Sequence, residues 1–150
     1  MRINNIIYNV KQVFLEIIRK YIYLVSPIIG LGAFIILEKT NFIEASNDLS
    51  YMNNIINLSG VLAGFLFTTY GIFMSLPNNR FIYLLKFNGY MGIIYKTLLF
   101  GIVFLISSMI LGLFTNYYNL ITYIFVFGIS ETITSVYHFY KVLKYSSKSK

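Results

Sequence analysis

The sequence predicts an all-α integral membrane protein with four transmembrane helices and both termini on the cytoplasmic side. Hydrophobic residues make up 57% of the 150-residue chain and charged residues only 11%, against about 25% charged residues in a soluble domain. All of the 12 basic residues except Lys39 fall on one side of four apolar segments. Basic residues concentrate in cytoplasmic loops, so that side is predicted to be cytoplasmic and the chain to form a single membrane domain, residues 1–150.

The composition also limits the chemistry. The chain has no cysteine and one histidine, so we expect no metal site and no cofactor. The net charge of +7 raised the possibility of nucleic-acid binding. The basic residues flank apolar runs and form no continuous stripe, so a lipid bilayer with an anionic inner leaflet is the predicted partner and nucleic acid is not.

The first 20 residues have a pattern of their own. Apolar residues recur at spacings of three and four between polar ones: Ile3, Ile6, Ile7, Val10, Val13, Phe14, Ile17 and Ile18. This spacing predicts an amphipathic helix over residues 1–20 that lies on the cytoplasmic membrane surface. Packing on a partner helix, or direct continuation into the first span, is the alternative.

Four apolar runs follow, over residues 21–37, 55–76, 97–114 and 120–140. A helix needs about 20 residues to cross the hydrocarbon core. The second and fourth runs are long enough, and aromatic and lysine flanks extend the shorter first and third runs to the interface. The basic segment before the first run is too long for a signal peptide, so we interpret residues 21–37 as a retained span.

The connections differ in character. Between the second and third spans, Pro77, a cap at Asn78 or Asn79 and a stop at Gly89 predict a short helix at the cytoplasmic interface. Its apolar face would consist of Phe81, Leu84 and Leu85. Residues 40–54 form a polar outer loop, and residues 115–119 are few enough to make the last two spans a tight antiparallel hairpin. Residues 141–150 form a basic tail.

Small and polar residues form stripes on two spans. On the second span they are Asn57, Gly60, Gly64, Thr68, Gly71 and Ser75, and on the third Thr97, Gly101, Ser108 and Gly112. Small residues let helices approach closely in lipid, where apolar burial gives no advantage. The stripes predict packing within one chain, or an interface between copies or a pore lining, and we expect a homo-oligomer.

Pro27 lies inside the first span. A proline there removes one backbone hydrogen bond and predicts a kink. The kink is either a gating hinge or simply part of the helix shape.

The fourth span carries the candidate site. Gly128, Glu131, Ser135 and His138 share one helix face at spacings of three, four and three. Glu131 is near the middle of the run, where a charge costs roughly 2.5–3.5 kcal/mol on insertion scales. We therefore expect these residues to form a pore or an intramembrane polar site. The alternatives are a structural hydrogen bond from Glu131 to another span, and an interfacial His138 bonded to water or a headgroup.

The sequence contains no soluble catalytic motif, neither a phosphate-binding glycine loop nor HExxH nor GxSxG. An intramembrane hydrolase would need a nucleophile with a base, or a pair of acids. Glu131 alone supplies neither arrangement, so we expect that the protein is not an enzyme.

Residues 59–90, SGVLAGFLFTTYGIFMSLPNNRFIYLLKFNGY, combine a glycine-rich span, a Pro-Asn turn and a short basic helix. This stretch, about a fifth of the chain, resembles small multi-span membrane proteins of bacterial anti-phage defence and toxin loci. The resemblance implies a membrane effector or a membrane-anchored sensor that works with a separate cytosolic protein. It implies no catalytic residues.

The predicted function is that of a subunit of an oligomeric pore or channel-like effector that perturbs the cytoplasmic membrane. Two alternatives stay open. The first is a non-conducting membrane anchor or sensor that recruits a cytosolic protein through the basic inner face. The second is a holin-like lysis protein or a small transporter half.

Overall fold

The computed structural model describes residues 20–42, 48–77, 80–115 and 117–146. These residues form five helices: α1 Ile22–Lys39, α2 Leu49–Ser75, α3 Arg80–Phe87, α4 Tyr90–Phe114 and α5 Tyr118–Ser146. The predicted amphipathic helix over residues 1–20 lies outside the described residues except for Lys20. So do the proposed caps Asn78 and Asn79, and residues 147–150 of the basic tail.

Four of the helices, α1, α2, α4 and α5, are long and apolar enough to cross a membrane. The predicted all-helical, four-span fold is therefore confirmed, and the chain is a multi-pass membrane protein by length and composition. The short helix between the second and third spans is present as α3.

The helices are longer than the apolar runs from which the spans were predicted. Helix α2 begins at Leu49, inside the segment predicted to be an outer loop, and α4 begins at Tyr90 rather than at residue 97. Apolar runs mark the part of a helix that lies in hydrocarbon. The helix itself continues into the polar region, because its backbone hydrogen bonds need no apolar surroundings. A helix of 27 residues such as α2 is about 40 Å long, against about 30 Å for the hydrocarbon core.

Helices α4 and α5 form the central pair of the bundle, joined by the short connection after Phe114. Helix α1 packs mainly on α5, and α2 packs mainly on α4, so α1 and α2 lie on opposite sides of the central pair. We call the end of the bundle where α1 and α4 begin and α5 ends the basic end. Most of the basic residues that are described lie there.

The central helices approach closely at glycines. A methyl group on Gly101 of α4 would come within 2.7 Å of Leu66 Cδ1 on α2, and one on Gly128 of α5 within 2.6 Å of Leu105 on α4. Gly112 of α4 faces Ile56 of α2 at a similar distance, 2.8 Å. Two of the predicted packing residues, Gly101 and Gly112, and Gly128 of the predicted polar site therefore lie where helices meet within one chain.

The turn between α3 and α4 depends on Gly89. Its φ of 69° lies in the left-handed region, which glycine adopts without a steric cost. Helix α3 ends at Phe87, and α4 starts directly after the glycine. The predicted stop at Gly89 is therefore confirmed, and it positions Tyr90 as the first residue of α4.

Candidate intramembrane polar site

A buried line of residues runs along α5 toward the basic end. Gly128 is buried, and Glu131, Ser135 and His138 are only 0%, 1% and 2% exposed. The structure thus brings together the four residues that the spacing placed on one face. They face the interior of the bundle within a single chain.

Glu131 lies against the glycine of the neighbouring helix. A methyl group on Gly101 would come within 3.1 Å of Glu131 Cβ, so the small residue on α4 makes room for the acid on α5. Both carboxyl oxygens of Glu131 are buried and have no hydrogen-bond partner among the described residues. A hydrogen bond from Glu131 to another span is one of the alternatives that the sequence leaves open. No such bond forms among the described residues.

Such a carboxyl group is costly to keep. A buried polar group without a hydrogen bond loses its interaction with water and gains nothing in exchange, and an ionised group loses more. An uncharged carboxyl is the form that costs least to bury. Glu131 therefore stabilises no neighbouring described group through a hydrogen bond.

His138 ends the line and joins it to α4. Its Nδ1 atom lies 2.8 Å from the hydroxyl of Tyr90, and the two rings are 5.4 Å apart in an edge-to-face arrangement. At 2% exposure, the side chain is buried between helices. Its Nε2 atom is buried without a hydrogen-bond partner in the described part of the chain.

Sequence reasoning missed Tyr90. One feature of the sequence points to Tyr90, because it follows the glycine that is predicted to end α3. However, the chain contains 14 tyrosines. No spacing rule relates a residue on α4 to a histidine 48 positions later, so only the packing of α4 on α5 identifies this one.

The buried line opens toward the basic end of the bundle. There, His138 and Tyr90 line an open cleft of about 1140 Å³. In the opposite direction from Glu131, the buried side chains include the apolar Leu105, Ile121 and Phe125 and also hydroxyl groups, those of Ser108 and Thr122. The cleft therefore connects the polar site to the basic end.

Helix α1 is held against α5 by a second group of polar residues. Ser26 Oγ donates a hydrogen bond to the carbonyl oxygen of Ser130 at 3.0 Å and lies 2.6 Å from Thr134 Oγ1. One turn further along α1, a methyl group on Gly30 would overlap the Ser130 side chain. Pro27 is buried beside these contacts, and α1 continues through it without interruption. The role of Pro27 as a hinge stays a prediction.

A serine pair joins α2 to α4. Ser59 Oγ and Ser108 Oγ lie 2.8 Å apart and are both buried, and Ser108 also donates to the carbonyl oxygen of Leu105. This pair lies on the apolar side of Glu131, away from the cleft. Its hydroxyl groups bind each other and the backbone, in contrast to the unpartnered carboxyl of Glu131.

The glycine stripe of α2 lies on the outside. Nothing lies within 4 Å of a methyl group built on Gly64 or Gly71, and Gly60 would contact only Met109 Sδ, at 3.7 Å. Thr68 is exposed and donates to the carbonyl oxygen of Gly64. The face of α2 that packs in the chain consists of other residues: Met52, Ile55, Ser59, Ala63, Leu66, Thr69 and Phe73. The stripe is therefore a surface of the single chain.

Across the described residues, no group of three His, Asp or Glu side chains comes close enough to hold a metal ion. No protein family, curated protein or solved structure matches the chain. The likeness of residues 59–90 to proteins of defence and toxin loci stays a prediction.

Proposed function

We propose that this chain is a subunit of an oligomeric, channel-like membrane effector that carries protons or small cations through the cytoplasmic membrane. The observation that carries the proposal is Glu131, a fully buried carboxyl group without a hydrogen-bond partner among the described residues. Acids at membrane depth usually belong to ion or proton pathways. No catalytic chemistry is assigned to the site.

The residues next to Glu131 support a pathway rather than an isolated acid. Ser135 and His138 follow at one helical turn each, where side chains on the same face are about 5–6 Å apart. Tyr90 contacts His138 and so extends this row of polar side chains to the cleft. A carboxyl, a hydroxyl, an imidazole and a phenol each accept and donate protons. Water entering from the cleft would connect them.

The proposed channel also requires that several copies of the chain assemble. The exposed stripe of Gly60, Gly64, Thr68 and Gly71 on α2 fits a close helix–helix contact between two copies of the chain. Basic residues concentrate at cytoplasmic ends of membrane helices, which supports a cytoplasmic location for the α5 end of the bundle and for both termini. A cytosolic protein that binds this basic end would act as the trigger.

The test is ion flux through liposomes that contain the purified protein. Glu131→Gln keeps the shape and the hydrogen-bonding capacity but removes the titratable group. We expect it to retain the fold and the oligomer and to lose most of the flux, or its dependence on pH. Glu131→Leu serves as the second variant, since it fills the site without polar atoms. A Glu131→Gln protein with the full flux and pH response of the parent overturns the proposal.

A second candidate function has one observation in its favour. The cleft opens the polar line toward the basic end, whereas the apolar side chains of Leu105, Ile121 and Phe125 lie toward the α4–α5 connection, as expected of a sensor or membrane anchor that responds from one side only. Such a protein conducts nothing. Parent liposomes without flux, combined with retention of a cytosolic protein that depends on the basic residues, would favour this function over the first.

A further inference from the structure

The cleft at the basic end is rich in positive charge. It opens between α1, α4 and α5, and three lysines line it: Lys20, Lys96 and Lys141. None of the described residues that line the cleft is acidic. Its volume of about 1140 Å³ is slightly above the roughly 300–1,000 Å³ that is typical of small-ligand pockets.

An aromatic ring lies beside each of the three lysines, and Lys20 Nζ is 5.8 Å from the ring centre of Tyr21. Lys96 Nζ of α4 lies 5.4 Å from the ring centre of Tyr23 on α1, and Lys141 Nζ lies 4.5 Å from that of Tyr137. A cation over an aromatic face is attracted by the ring quadrupole but keeps its full charge. The rings therefore orient the ammonium groups at the cleft without neutralising them.

An apolar surface continues from the cleft into the membrane. Tyr21 lines the cleft, and Leu24 and Ile28 follow on the same side of α1 at spacings of three and four, 47% and 69% exposed. A ligand in the cleft thus has cations at one end and a lipid-facing apolar helix next to it. A soluble anion would use only the first of these features.

We propose that the cleft binds the headgroup of an anionic phospholipid, with its phosphate oxygens between Lys20, Lys96 and Lys141 and its acyl chains along α1. Basic pockets between transmembrane helices at the cytoplasmic side suit headgroups that carry two phosphates. Three lysines match a headgroup with two phosphates better than they match a headgroup with a single phosphate. This binding site does not depend on the proposed ion flux, and its test measures no transport.

The experiment is native mass spectrometry of the purified full chain with cardiolipin, and with phosphatidylcholine as the neutral lipid. The double variant Lys96→Gln and Lys141→Gln removes two cations from the cleft, and glutamine keeps most of the side-chain length. Lys144→Gln is the matched control. It removes one charge from the same end of the bundle, one turn along α5, but outside the residues that line the cleft.

We expect the parent to retain cardiolipin and to release phosphatidylcholine. Each lysine lost from the cleft should weaken cardiolipin binding about fivefold. The double variant should therefore bind cardiolipin on the order of 25-fold more weakly than the parent. The Lys144→Gln protein should bind as the parent does.

Two results would overturn the proposal. Equal weakening per charge in Lys144→Gln and in the cleft variants would mean a general attraction to the membrane surface instead of a site. Displacement of cardiolipin by inorganic pyrophosphate at an equal concentration would mean that the acyl chains contribute nothing, so that the ligand is a soluble phosphate.

Discussion

Helices α2 and α5 each carry small and polar residues at spacings of three and four, yet the two stripes have opposite environments. The stripe on α5, from Gly128 to His138, is buried in the chain. The stripe on α2, from Gly60 to Gly71, lies mostly on the surface. The same spacing therefore describes a buried polar face in one helix and a surface of the single chain in the other.

The position of each helix in the bundle explains the difference. Helix α5 packs on α4, α1 and α2. In the apolar stretch of α5 that could cross a membrane, 50% of the residues are buried, against 28% in the corresponding stretch of α2. A helix surrounded in this way needs small residues on several sides. Helix α2 packs mainly on α4, and larger side chains such as Leu66 and Phe73 already fill that contact.

The largest expected effect is the difference between replacing a buried glycine with leucine and replacing an exposed glycine with leucine. Gly101→Leu would drive a branched side chain into Leu66 and Glu131, and overpacking of this size costs about 1–3 kcal/mol or more. We expect that variant to lose its monodisperse folded form in detergent. Gly64→Leu should keep the helix content and melting temperature of the parent but give a smaller species by size exclusion with light scattering.

The control for Gly64 is Val61→Leu, a smaller enlargement at a site that is 69% exposed on the same helix, which should leave the oligomer intact. If Gly64→Leu has the mass and crosslinking pattern of the parent, the glycine stripe faces lipid. Assembly would then use another surface.

An intermediate effect is expected on α1. Gly30→Leu should separate α1 from α5, because the new side chain would occupy the position of Ser130 and remove the contacts of Ser26. Gly32→Leu is the matched control, since nothing lies within 4 Å of that position. Limited proteolysis in detergent should cut Gly30→Leu near α1 faster than the parent, and Gly32→Leu at the parent rate. Equal rates for the two variants would mean that α1 is not held at Ser130.

The smallest effect concerns the end of the polar line. Tyr90→Phe removes the hydroxyl that contacts His138 Nδ1 and leaves the ring in place. A lost hydrogen bond of this kind lowers the free energy of unfolding by about 1 kcal/mol. Tyr140→Phe, at a side chain that is 59% exposed, should change it by much less. Thermal denaturation of both variants in the same detergent makes the comparison, and equal shifts would mean that the contact is not stabilising.

Sequence alone predicted the number of spans, the helix α3 and the shared face of Glu131, Ser135 and His138. These follow from local composition and helical period, which every segment carries by itself. It could not predict which stripe is buried, because that depends on contacts between helices far apart in the chain. The pairing of Tyr90 with His138 and of Ser26 with Ser130 was missed for the same reason.

Water access to Ser135 tests most directly whether the buried face of α5 is a polar pathway that leads to the cleft. The chain has no cysteine, so Ser135→Cys and Ser108→Cys each introduce a unique thiol at equally buried positions, 1% and 0% exposed. Ser135 lies between Glu131 and the cleft, and Ser108 lies on the apolar side. A small thiosulfonate reacts with the thiolate, which forms only where water reaches. We predict that Ser135→Cys is modified several times faster than Ser108→Cys in membranes. Equal rates, or faster modification of Ser108→Cys, would contradict the pathway.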